Sequence, residues 1–194
     1  MTQAVSSAQS THSAHLSIAE AGKVLALKGN HEEALRHYRE AIRIAVSTKS
    51  PEIFFRHYTQ CVLESLEHSG SHEEVNEYCR SADEHYRNLD ISLPIIRRDH
   101  ASTLERWGIN LLKAGQIDAG AEKLKAALDL AQDGLPISKA LVGWLARALT
   151  PDNRRIAELQ RKHRYFTVRS DQVDASFARE IGSNTPESRI PNPL

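Results

Sequence analysis

One hexapeptide is repeated along the chain, and it constrains the fold more than any other feature. Gly29-Asn30-His31-Glu32-Glu33-Ala34 recurs as Gly70-Ser71-His72-Glu73-Glu74-Val75 and, more loosely, as Gly115-Gln116-Ile117-Asp118-Ala119-Gly120. Aligning the three turn glycines brings further positions into register. Seven residues earlier stand Gly22, Leu63 and Gly108, and eight earlier Ala21, Val62 and Trp107. Nine residues later stand Tyr38, Cys79 and Leu124, and twelve later Ala41, Ala82 and Ala127. Self-similarity at such a period marks a stack of supersecondary units. A glycine between two helical patterns supplies the positive φ that a tight antiparallel reversal needs. Asn30 with Glu33, and Ser71 with Glu74, have capping-box spacing for the helix that follows.

Apolar residues recur at helical period from about residue 14 to 165, and no segment alternates over a strand's length. The spacing predicts eight helices, over 14–28, 31–47, 51–68, 72–88, 94–114, 117–132, 136–149 and 151–165. Pro51, Pro94, Pro136 and Pro151 each stand at a predicted start, where a missing N–H costs nothing. The short links make neighbouring helices antiparallel. The fold class is therefore all-α. Residues 1–13 are rich in Ser, Thr, Gln and Ala and read as a disordered lead-in. Residues 166–194 read as a tail, irregular where Pro186, Pro191 and Pro193 fall. Within the tail, Val173, Phe177 and Ile181 repeat every four residues behind Ser170, which predicts a short amphipathic helix over 170–181 that docks on an apolar surface.

The small–large–small pattern around each turn resembles the tetratricopeptide repeat, a helix–turn–helix unit. The resemblance covers about residues 15–132 as three repeats, with a partial fourth carrying Gly143 and Trp144. Leu63 and Cys79 depart from the pattern in the second repeat, and the turn glycines lie 41 and 45 residues apart rather than at the family's 34. The resemblance implies a short α-solenoid over 14–165 whose first helices line a concave protein-binding groove. Leu16, Ala19, Lys23, Ala26 and Leu27 would face that groove from the first repeat. The second would contribute His57, Gln60, Glu64, Glu67 and His68, and the third Ser102, Glu105, Ile109, Leu112 and Lys113. A family branch that grips chaperone C-termini uses a Lys/Asn/Arg clamp. Only Lys23 matches it here, so that role is not expected.

Composition narrows the function classes. Lys plus Arg and Asp plus Glu are both 25, which excludes a whole-protein cationic footprint for nucleic acid. Charge is nevertheless uneven: residues 1–93 carry 9 basic and 13 acidic side chains, residues 94–194 carry 16 and 12. A basic face of Arg154, Arg155, Arg161, Lys162 and Arg164, interleaved with Tyr165 and Phe166, is open to an acidic partner or, less favourably, to nucleic acid. Two cysteines, Cys61 and Cys79, do not make a disulfide scaffold. No run approaches the ~20 apolar residues of a membrane span, and no basic residue precedes Lys23 as a secretory signal would require. A cytoplasmic setting is expected.

Ten histidines invite a metal site, yet no His-Glu-x-x-His or Cys-rich spacing is present, and solvated histidines are the expectation. The Glu pairs at 32–33 and 73–74 suit helix first turns, where carboxylates meet the positive dipole end. No nucleophile elbow or phosphate loop occurs. The sequence therefore predicts a protein without catalytic residues, cofactor or metal, acting as an adaptor or assembly factor. A small secretion-type chaperone is the alternative, and a nucleic-acid binder a more distant one.

Overall fold

The computed structural model describes residues 2–89, 92–131 and 133–181, with side chains from residue 14. It is all-helical: α1 Thr2–Leu27, α2 His31–Ser47, α3 Glu52–His68, α4 His72–Arg87, α5 Pro94–Lys113, α6 Ile117–Ala131, α7 Pro136–Leu145 and α8 Asn153–Lys162. No strand occurs among the described residues. Seven of the eight predicted helices start within two residues of the observed ones. The first does not. α1 starts at Thr2, because residues 2–13 contain neither Gly nor Pro and nothing halts the helix.

The chain divides into two compact units. One comprises the chain up to Gly70 together with the segment from Phe166, and the other is Ser71–Tyr165. The sequence reading groups 14–165 as a single array; the observed boundary falls on the turn glycine of the second predicted repeat.

In the first unit α2 packs on both α1 and α3. Ala34, Tyr38 and Cys61 form one buried cluster, and Ala19, Ala41, Ala45 and Tyr58 another. Gly22 lets α1 meet α2: a Cβ there would lie 2.7 Å from Tyr38 Cε1. In the second unit α5 packs against α4, α6 and α8. Its core joins Ile109, Leu112, Leu124, Ile137, Leu141 and Ile156. Gly108 and Gly120 bring the α5 and α6 backbones together, each placing a hypothetical Cβ 3.0 Å from the other's carbonyl oxygen. The alanines at the aligned position, Ala41, Ala82 and Ala127, are all buried.

The turns follow the repeat: Gly29, Gly70 and Gly115 all have φ near +80°. The caps follow it only in part. The Asn30 side chain accepts from Glu33 N, but Ser71 makes no side-chain cap bond. Pro51 occupies the N-cap of α3, and Asp152 caps α8 by accepting from Arg155 N at 2.8 Å.

Candidate functional site

The expected groove residues fall into three groups. Leu27 and Gln60 are exposed, and Lys23 is half-buried, paired with Glu20 at 3.0 Å. His57 is half-buried beside Cys61, and burial, aided by the Lys23 ammonium, holds its imidazole below the usual range. Six others, Ala19, Glu64, Glu67, Glu105, Ile109 and Leu112, are buried and correct the expectation of an open surface. Ile109 and Leu112 belong to the second unit's core, because α7 and α8 supply Ile137, Leu141 and Ile156 as a cover over α5. Glu67 is buried in α3. Glu64 and Glu105 are 2% and 7% exposed, and each serves a distant stretch of backbone.

Glu105 caps α7. Its Oε1 accepts from Ser138 N at 3.1 Å and from Ser138 Oγ at 2.8 Å. Burial raises its carboxyl above the usual range, against those two bonds, which pull it down. A raised acid favours the folded state while protonated. Its contribution is therefore complete below the unfolded carboxyl range and is lost as pH rises through the folded value. Glu105→Gln, which keeps Oε1 as acceptor, should match the native chain in acid and melt higher at neutral pH. Glu105→Ala strands the Ser138 donors and should lose about 1–3 kcal/mol at neutral pH. Thermal melts of the three proteins across pH check both.

Glu64 serves the tail. Thr167 N donates to Oε1 at 2.6 Å and Val168 N to Oε2 at 2.9 Å, so one carboxylate takes two successive amides. The tail then continues over the first unit. Asp174 N donates to Glu20 Oε1 at 2.6 Å, and Arg179 N to Ser17 O at 3.0 Å. His37 Nδ1 donates to Glu33 O at 2.8 Å, and its Nε2 lies 3.0 Å from Glu180 Oε2 and 3.4 Å from Ile181 N. As an imidazolium the ring donates to Glu180; neutral, it accepts from Ile181. Side chains anchor the tail's first residues. The Phe166 ring lies 4.2 Å from that of His68, which stacks on His31 at 5.1 Å, and Val168 packs on the Ala34–Tyr38–Cys61 cluster.

This segment is not the expected amphipathic helix. Ser170–Gln172 and Ala175–Phe177 are single 3-10 turns, with extended backbone at Arg169, Val173, Asp174 and Ala178. Phe177 is 47% exposed instead of lying on an apolar stripe. The amides of Asp174 and Arg179 go to Glu20 and Ser17, so they do not close helical turns, and Asp174 folds its own side chain onto Ser176. Residues 182–194, with their three prolines, lie outside the described residues.

Several histidines expected in solvent instead join helices. His15 meets Tyr58 and Ser50, and His72 meets Asn110. His100 meets Asp83, which also pairs with Arg87. Among the described residues no cluster could hold a metal, and no helix is long and apolar enough to cross a membrane. Cys61 and Cys79 are both buried. Arg154, Arg155, Arg161, Lys162 and Arg164 are all exposed, and Arg154 pairs with Glu158 at 3.4 Å. The interleaved aromatics are engaged internally: Arg106 covers the Tyr165 ring, and Phe166 packs on His68. Both rings are half-buried.

Sequence reasoning named Glu64, though as a charge facing an open groove, and missed Ser17, Glu20 and His37. Nothing local marks these three as acceptors for residues more than 140 positions away. Compared with protein-family models, with curated proteins and with solved structures, the chain gives no match.

Proposed function

We propose that this chain is a non-enzymatic protein-binding module of tetratricopeptide-like hairpins, an adaptor or assembly factor that captures a peptide segment. One observation carries the reading: the α1–α2–α3 face of the first unit holds an extended segment mainly through that segment's backbone amides. Capture through main-chain groups supplies affinity with little demand on sequence, while a few side-chain contacts supply selectivity. The glycine contact at Gly22 and the buried Ala19, Ala41 and Ala45 keep the helices closely packed, so a ligand loses freedom that the scaffold has already lost.

The test is to pan a displayed library of random 16-residue peptides against the full chain, using carriers with the tail intact and with Val168→Asp. Enrichment of protein-binding sequences, stronger on the Val168→Asp carrier, is the expected result. No enrichment on either carrier overturns the reading. The exposed basic face of α8 favours no ligand in particular, and steep salt dependence of any nucleic-acid binding would be needed to revive that alternative.

A further inference from the structure

We infer that the α1–α2–α3 face selects an extended segment with an aromatic residue, an aliphatic residue two positions on and an acidic residue twelve positions beyond that, with free N–H groups at its core, and that residues 166–181 are the intramolecular competitor for this site. The inference rests on the protein-binding reading above and specifies its ligand.

The tail supplies the template. Phe166 fits against His68, Val168 fits the Ala34–Tyr38–Cys61 cluster, and Glu180 reaches His37 Nε2. Between these anchors Glu64 and Glu20 accept main-chain amides, which any residue but proline provides. The two-oxygen grip of Glu64 on successive amides requires both to be unsubstituted. The tail itself is held lightly: most residues from Ser170 to Glu180 are exposed, its regular structure among the described residues is two 3-10 turns, and Val168, itself half-buried, packs against a buried cluster. Segments with few buried apolar contacts open at low free-energy cost. A covalently attached occupant acts at an effective concentration in the millimolar range, so a free ligand binding at micromolar strength reads as weak until the tail is displaced.

The experiment uses a fluorescein-labelled synthetic peptide of residues 164–181 and the full chain in three forms. These are the native sequence, Phe166→Ala with Val168→Asp, and a chain with a protease site inserted after Arg164, folded and then nicked. Fluorescence polarisation should show the peptide binding the doubly substituted and the nicked chains at least tenfold more tightly than the native chain. N-methylation of the peptide at the Val168 amide should weaken binding about tenfold. The nicked chain carries no substitution, so it decides the matter if the double variant melts early by circular dichroism.

Equal binding to all three forms, or binding to none, overturns the inference, as does indifference to N-methylation. Exchange of tails between native copies, seen as a dimer, would overturn intramolecular competition in favour of a second copy. If library peptides enrich but the tail peptide does not compete with them, the module reading stands and this one falls. If the library yields nothing while the tail peptide binds the nicked chain, the site stands and general peptide capture falls.

Discussion

Gly108→Leu is expected to lower the melting temperature of the 194-residue chain by roughly 6–12 °C, corresponding to about 3 kcal/mol. The figure sits at the upper end of the overpacking range for a structural reason. A Cβ at this position would lie 2.6 Å from Leu124 Cγ and 3.0 Å from the Gly120 carbonyl oxygen. Leu124 is fully buried and has nowhere to swing, and the carbonyl belongs to the α6 backbone. Relief therefore means moving one helix off the other. Gly143→Ala is the internal control. Its Cβ would meet nothing within 4 Å, and it lies inside α7, so the alanine should stabilise by about 0.5–1 kcal/mol. Two glycine substitutions of opposite sign, measured by thermal melts, separate close packing from intrinsic helix preference.

Glu64→Lys is expected to release the tail. The substitution removes two charge-assisted bonds and aims an ammonium at the Thr167 and Val168 amides it would have to serve. A loss of roughly 3 kcal/mol follows from two such bonds. Hydrogen exchange at those two amides should then run about a hundredfold faster. Glu64→Gln keeps one acceptor oxygen and should give about a tenfold change. Unaltered exchange in both variants would mean the tail's first residues are held by Phe166 and Val168 rather than by Glu64. Read from sequence, Glu64 is a charge facing an open groove; its burial reverses that expectation.

The elements that repeat were legible, and the contacts that occur once were not. Gly22 and Gly108 stand out in sequence because each lies seven residues before a turn glycine, a position Leu63 fills in the second repeat. Their structural partners, Tyr38 and Leu124, lie nine residues after the same turn glycines. Glu64, Glu105 and Glu20 carry no such signature. A carboxylate on a helix surface looks the same in sequence whether it faces water or the amides of a segment far along the chain. Ile109 and Leu112 were misplaced for a related reason. A helix of a regular solenoid keeps one side open, whereas α5 is covered by α7 and α8, whose short lengths gave little periodicity from which to infer packing. The tail failed as a helix because Val173, Phe177 and Ile181 satisfy the four-residue spacing while the backbone amides found acceptors elsewhere. Spacing reports what a side chain could bury, and it is silent on where a main-chain donor goes.

The first unit is built from the beginning of the chain and from a segment that begins at Phe166, with the whole of Ser71–Tyr165 between them. During translation, α1, α2 and α3 emerge first and must wait for roughly a hundred more residues before their last segment exists, an interval of about 5–20 s at ordinary elongation rates. Throughout that interval the Tyr38–Cys61 cluster lacks its Val168 cover, and the Glu64 carboxylate lacks its amide donors. If the face binds segments as proposed, the nascent protein on the ribosome offers it with no resident rival. A segment of suitable chemistry would then bind more readily before the tail emerges than after it.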